Sequence, residues 1–299
     1  MAEQRPKNQR RAAAPSFGAT LLRGPGSLFG SGSPSAARDY FEASRRPLEI
    51  LFFLLPFIAF YEYELVRVLR SPEGLLTNEA HLAILRLFDA LGFGPAALSL
   101  PGVMLVAILV GWHAARRAPW IVDLGVVARM FLESAILALP LLVLAEASVR
   151  LLPLPDGAAG SAAPLASLAG GGTAFEALPL GARIAVSIGA GLYEELVFRL
   201  VFLWIFITLL VDVLGLGRRT GVILSVLLSA LGFAIYHPIH GADGALLMQR
   251  FVFYFAAGAY FGAVYLVRGF GVVAATHAVY DIITAFLVSG TSGAAGAEG

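Results

Sequence analysis

Residues 180–214 read LGARIAVSIGAGLYEELVFRLVFLWIFITLLVDVL, an apolar run interrupted by one charged cluster at residues 194–199. Outside that cluster the run carries only Arg183 and Asp212 as charges. A helix rises about 1.5 Å per residue, and about 20 residues are enough to cross the hydrocarbon core of a bilayer. The stretch therefore predicts a membrane-spanning helix that is either strongly tilted or broken near the charged cluster.

The composition of the whole chain points to the same environment. Of its 299 residues, 58% are hydrophobic and 14% are charged, and the mean hydropathy is +0.80. Soluble proteins carry about 25% charged residues, so this chain has too little polar surface to cover itself in water. The net charge of +1 gives no support for a nucleic-acid partner. The absence of cysteine excludes disulfides, thiolate metal ligands and a cysteine nucleophile.

Further apolar runs predict additional membrane helices along the chain. Because backbone polar groups in lipid must be paired within the chain, such runs form helices. The fold class is therefore predicted to be all-α, a polytopic transmembrane helical bundle of about seven or eight helices. The further runs cover about residues 48–61, 96–112, 126–144, 222–236, 247–267 and 272–288.

Composition also divides the chain into segments. Basic residues are concentrated before the first apolar run, which predicts a flexible arm held on the cytoplasmic side by the positive-inside rule. A Gly- and Ala-rich loop without Lys or Arg separates two helical parts and suits the non-cytoplasmic side. The predicted segments are the basic arm 1–47, N-terminal transmembrane helices 48–152, the loop 153–178, a C-terminal helical core 179–289 and a disordered tail 290–299.

Ionisable side chains at membrane depth mark the candidate site. Each costs about 2.5–3.5 kcal/mol on insertion scales, so such residues are functional candidates. Neighbouring helix positions differ by about 100° in direction, so Glu194 and Glu195 cannot both face one point. Glu195 and Arg199 are spaced i, i+4 and are predicted to pair along the helix. Glu194 is then free to act as a base.

Two later apolar helices each bring a histidine. His237 ends the segment Phe-Ala-Ile-Tyr-His, and His277 begins the segment His-Ala-Val-Tyr-Asp, which places Asp281 on the same helical face. One glutamate and two histidines are enough to bind and polarise a water molecule, with or without a metal. Glu194, His237 and His277 also match the ligand count of some catalytic zinc sites.

Other mechanisms and functions predict different patterns. The zinc site-2 proteases need His-Glu-x-x-His, and no such string occurs. Tyr280-Asp281 resembles half of an aspartyl pattern, but no Gly-x-Gly-Asp accompanies it. Gly290-Thr-Ser-Gly resembles a rhomboid nucleophile, but no histidine follows it. A non-proteolytic immunity or scaffold protein is an alternative, and a transporter would show internal repeats that are absent here.

The three motifs together resemble a known family. Glu-Glu-x-x-x-Arg, Phe-x-x-x-His and His-x-x-x-Asp, in this order on successive apolar helices, are similar to the motifs of the CPBP intramembrane proteases. This family is also named for CAAX proteases and bacteriocin processing, or Abi. The resemblance covers about residues 179–288. It implies an integral protein, here of the bacterial inner membrane with a cytoplasmic N-terminus.

The resemblance also implies roles for the candidate residues. Glu194 and His237 would activate the attacking water, and His277 with Asp281 would orient or stabilise the oxyanion. Glu195 and Arg199 would hold the local structure. Asp281 stands where the eukaryotic CAAX endopeptidases have Asn, and it would orient a histidine or act in its protonated form.

The expected activity is that of an intramembrane endopeptidase, either glutamic or metal-dependent. Its expected partners are the lipid bilayer and a membrane-associated peptide or protein substrate. A divalent metal such as zinc, if bound, would be held by Glu194, His237 and His277.

Overall fold

The computed structural model describes residues 35–71, 74–75, 77–152, 175, 177–241 and 243–295. Most of the predicted basic arm, nearly all of the predicted loop 153–178 and the last four residues of the predicted tail lie outside these residues.

The described chain is helical, as predicted. Its one strand pair, β1 Arg70–Ser71 and β2 Gly74–Leu75, is antiparallel and two residues long. A 3₁₀ turn at Gly94–Ser99 precedes the fourth helix. The helices are α1 Ser35–Ala43, α2 Pro47–Glu64, α3 Glu79–Ala90, α4 Leu100–Arg116, α5 Leu124–Leu151, α6 Leu180–Val213, α7 Arg218–Tyr236, α8 Met248–Arg268 and α9 Phe270–Ala295.

Six helices in the described residues are long and apolar enough to cross a membrane. They are α4 with its preceding turn, α5, α6, α7, α8 and the first 18 residues of α9. Helix α2 is also 18 residues long, but it carries the three carboxylates Glu49, Glu62 and Glu64. The polytopic helical architecture is thus present, and the count of seven or eight spans stays a prediction.

Helix α6 runs without a break through the charged cluster. It is α-helical to Glu195, and the cluster then enters a π-helical segment, Leu196–Phe202. A second π-helical segment, Thr208–Val213, ends the helix. The predicted interruption is therefore a change in helical type. Wide π turns often occur at functional sites, because they re-aim the side chains around them.

Glycines let the site-bearing helices pack closely. A Cβ on Gly191 of α6 would lie 2.4 Å from the carbonyl oxygen of Ala274 in α9. A Cβ on Gly258 of α8 would lie 3.0 Å from the Cα of Ala230 in α7. Only a residue without a side chain permits these approaches, which bring polar groups on the three motif-bearing helices within reach of one another.

An ion pair ties α1, α5 and α8 together at one end of the bundle. The buried Arg268 donates from Nη2 to Glu133 Oε2 at 2.7 Å and to Ser44 Oγ at 3.0 Å. Tyr40 Oη donates to the same Glu133 oxygen at 2.6 Å. Glu133, a carboxylate within α5, thus has a charged partner from the distant helix α8.

Candidate active site

The π-helical segment of α6 begins beside a buried ion pair. Arg199 Nε lies 3.0 Å from Glu195 Oε2, and both side chains are fully buried. This is the i, i+4 pair that the spacing predicted. The guanidinium also donates from Nη2 to the carbonyl of Gly258 at 3.1 Å. The pair therefore anchors α6 to the middle of α8.

Glu195 has a second partner that the sequence did not reveal. Its Oε1 accepts a hydrogen bond from His277 Nδ1 at 2.8 Å, between residues 82 positions apart. A buried charge is tolerated when it is both paired and hydrogen-bonded. Glu195 meets this condition and at the same time fixes the orientation of a histidine on α9.

Glu194 faces both candidate histidines. Its Oε2 lies 3.6 Å from His237 Nε2 and 3.9 Å from His277 Nε2. Both distances are longer than a direct hydrogen bond. Among the described residues this buried oxygen has no hydrogen-bond partner. One carboxylate oxygen and two imidazole nitrogens therefore face one another without forming direct hydrogen bonds to each other.

The tautomer of His237 follows from its surroundings. Nδ1 lies 2.7 Å from the carbonyl oxygen of Phe233, which can only accept, so Nδ1 carries a proton. His237 follows the last residue of α7, outside the span, and burial lowers the pKa of its imidazole. The neutral ring thus presents the lone pair of Nε2 toward Glu194.

Asp281 lies next to His277. Its Oδ2 is 3.5 Å from His277 Nε2, as the i, i+4 spacing on α9 allows. The His277 ring is therefore flanked by Glu195 at Nδ1 and by Glu194 and Asp281 near Nε2. Only an imidazolium can donate from both ring nitrogens in this arrangement.

Two aromatic rings of α8 stack on the two histidines. Tyr254 lies 4.1 Å from the His237 ring with an interplanar angle of 25°. Phe261 lies 4.5 Å from the His277 ring with an angle of 24°. The two are seven residues apart, about two helical turns, and so lie on one face of α8. The sequence reading missed them because aromatic residues at this spacing are usual in any packed helix.

Tyr236 also contacts the site. It lies on the same cavity wall as Glu194, together with residues 77–79 at the start of α3. The N-terminal half of the chain, in which no motif was found, therefore forms part of the wall near the candidate base. Tyr236 precedes His237 directly, but nothing in the sequence separates it from a packing residue.

A cavity of about 360 Å³ adjoins these residues. Its polar lining includes Glu194, His237, His277 and Asp281, so the four predicted catalytic residues share one cavity. This volume is in the range of small-molecule sites and has room for a short peptide segment. Its apolar wall and its rim come from Phe175, Leu178, Val186, Ala190, Phe233, Phe253, Tyr254, Ala257, Phe261, Tyr280 and Ala285, with Thr77, Asn78 and Glu79 from the N-terminal half.

The arrangement does not have the form of a metal centre. Among the described residues, no three His, Asp or Glu side chains are placed to hold one ion. Glu194, His237 and His277, the set predicted for a metal, face one another without reaching that geometry.

Comparison with known proteins identifies the C-terminal part of the chain. Residues 176–283 match the family described as type II CAAX prenyl endopeptidase Rce1-like. No curated protein and no solved structure matches the chain. The matched segment contains all three motifs and every predicted catalytic residue. The predicted resemblance to the CPBP, or CAAX-protease, family is therefore confirmed over residues 176–283, a little over a third of the chain.

Proposed function

We propose that the protein is an intramembrane endopeptidase that hydrolyses peptide bonds of membrane-associated proteins or peptides with an activated water molecule. The observation that carries the proposal is the convergence of Glu194 Oε2 with the Nε2 atoms of His237 and His277 at 3.6 and 3.9 Å. The match to a peptidase family supports it. The proposed location is the bacterial inner membrane, with the N-terminus in the cytoplasm.

In the first step Glu194 takes a proton from a water molecule held between it and His237 Nε2. The water oxygen forms a bond to the carbonyl carbon of the scissile peptide, and the carbonyl becomes an oxyanion. A donor aimed at that developing charge lowers the barrier. His277 supplies the donor from Nε2, while the Glu195 and Asp281 carboxylates stabilise the imidazolium.

In the second step the tetrahedral intermediate collapses. The carbon–nitrogen bond breaks, and the proton held by Glu194 passes to the leaving amine, directly or through His237. The carboxylate of Glu194 is then restored for the next cycle. Positioned acid–base groups of this kind contribute about 10²–10⁴-fold to a rate.

The test is peptide cleavage by the purified full-length protein in detergent. Two probes carry a lipid: a fluorescence-quenched peptide with an N-terminal palmitoyl chain, and a peptide whose fourth residue from the C-terminus is a farnesylated cysteine. The other two probes are the same peptides without the lipid. We expect cleavage of at least one lipid-bearing probe. Cleavage of none of the four would refute the proposal. Zinc analysis and a chelator on the same sample decide whether Glu194, His237 and His277 hold a metal.

The stacked rings of α8 lead to a second prediction. Replacing Tyr254 or Phe261 by Leu removes the contact that sets the plane of one histidine. Small misplacements of a reacting group can cost up to about 10²-fold, so we expect a loss of about tenfold or more in kcat. KM should rise as well, because both rings line the cavity. Tyr254→Phe keeps the ring and should retain activity.

Ring-current shifts give a readout for the same variants that does not depend on turnover. The chain has five histidines, so their ring signals can be assigned by substitution. Tyr254→Leu should move the His237 ring signals and leave those of His277 in place, and Phe261→Leu should do the reverse. Unchanged histidine signals in both variants would show that the Tyr254 and Phe261 rings do not determine the orientation of the two imidazoles.

A further inference from the structure

The two ends of the helical bundle differ in charge. Helices α2 and α9 begin at one end of the bundle, and α8 ends there. Two contacts show this: Arg268 donates a hydrogen bond to Ser44, and a Cβ on Gly269 would lie 3.5 Å from the Arg45 side chain. Helix connectivity adds the end of α4 and the starts of α5 and α7 to this basic end. Its arginines are Arg38, Arg45, Arg46, Arg116, Arg117, Arg129, Arg218, Arg219 and Arg268.

The opposite end, here called the open end, has six arginines in the described residues, against nine at the basic end. Arg46 and Arg268 of the basic end are paired with glutamates, and so are three arginines of the open end. The ion pairs of the open end measure 2.6–3.6 Å and join Arg67 to Glu64, Arg86 to Glu79 and Arg150 to Glu146. The other arginines of the open end are Arg70, Arg183 and Arg250. The sequence before α1 carries five more basic residues and one acid, Glu3.

The cavity extends from the middle of the bundle to the open end. On α8 its lining runs from Phe253 to Phe261, and on α9 from His277 to Ala285. Helix α8 starts at the open end and α9 ends there, so both linings lie between mid-depth and that end. Its remaining wall includes Asn78 and Pro238, which also lie at the open end. In the part of the chain that the structure describes, no residue of the basic end lines it.

The positive-inside rule assigns the arginine-rich end of a polytopic protein to the cytoplasm. We infer that the active site opens on the non-cytoplasmic face of the membrane. Its substrates are then peptide segments of membrane-anchored proteins that lie on that face, and cytoplasmic lipidated tails are excluded by the barrier between them and the cavity. The substrate class rests on the proposed function, whereas the direction of opening does not.

Cysteine labelling tests the direction of opening, because the chain contains no cysteine of its own. Asp243→Cys and Asp89→Cys place an exposed thiol at the open end, and Gly217→Cys and Pro119→Cys place one at the basic end. The variants are expressed in a bacterial inner membrane and exposed as intact spheroplasts to a membrane-impermeant maleimide. We expect labelling of the first two and loss of labelling for the last two until the membrane is permeabilised. The reverse pattern would overturn the inference. Each end has two cysteine positions, so that one variant still reports on that end if the other fails to fold.

Sealed vesicles test the substrate class. The palmitoyl peptide is added outside right-side-out vesicles and inside-out vesicles that contain the wild-type protein. We expect cleavage in the right-side-out vesicles and little in the inside-out vesicles until detergent is added. Cleavage confined to inside-out vesicles would refute the inference while leaving the proposed function intact. Absence of cleavage in detergent would instead refute the proposed function, and thiol labelling would still report the direction of opening.

Discussion

Replacing Glu194 by Gln is expected to reduce peptide hydrolysis by about 10³-fold or more. The amide keeps the size of the side chain but cannot take a proton from water, and a positioned base contributes about 10²–10⁴-fold. The loss should appear in kcat, since Glu194 lies at the inner end of the cavity and forms little of its apolar wall. Initial rates with the palmitoyl and farnesyl peptides in detergent measure the effect.

Asp212→Asn is the matched control for this variant. Asp212 is an exposed carboxylate on the same helix α6, outside the cavity, and it undergoes the same exchange of oxygen for nitrogen. We expect its rate to stay within about twofold of wild type, as for an exposed substitution away from the site. Comparable rates for Glu194→Gln and Asp212→Asn would remove Glu194 as the base.

The second large effect is expected on stability. Glu195→Ala removes the charged partner of the fully buried Arg199 and the hydrogen-bond acceptor of His277 Nδ1. Removing one partner of a buried ion pair typically costs about 3–5 kcal/mol, because the other charge is left uncompensated. The free energy of unfolding in detergent, followed by loss of helical signal on titration with a denaturing surfactant, should fall by this amount.

Two control variants separate burial from charge. Glu146→Ala breaks an i, i+4 pair with Arg150 at 2.6 Å, but both side chains are largely exposed. Exposed pairs contribute less than about 1 kcal/mol, so this change should be small. The double variant Glu195→Leu/Arg199→Met removes both buried charges and should recover most of the lost stability. Equal losses for Glu146→Ala and Glu195→Ala would contradict this explanation.

Local patterns were sufficient for the helical architecture. Apolar runs near residues 126–144, 222–236 and 247–267 correspond to α5, α7 and α8. The ends differ by at most four residues, except that α5 continues seven residues beyond the predicted end. The physical reason is that lipid offers no partner for the backbone, so a long apolar run has to form a helix. The two π-helical segments of α6, Leu196–Phe202 and Thr208–Val213, were not predicted by the apolar pattern.

Composition alone does not decide how many helices cross the membrane. Helix α2 has the length of a membrane helix, but its Glu49 and Glu64 are buried within the bundle. A sequence shows that a carboxylate is present and does not show whether protein or lipid surrounds it. The energetic cost of such a residue depends on that surrounding, and only the folded chain supplies it.

The sequence by itself determined the helical membrane fold, the Glu195–Arg199 pairing and the identity of the polar residues that share the site. The fold follows from the pairing of the backbone in lipid, and the ion pair follows from the 3.6-residue period of the helix. The polar site residues follow from the cost of ionisable side chains at membrane depth. Tertiary structure decided the contact of Glu195 with His277, the stacking of Tyr254 and Phe261 on the histidines, and the end of the bundle at which the cavity opens. These contacts join residues far apart in the chain, and their distances depend on how closely whole helices pack.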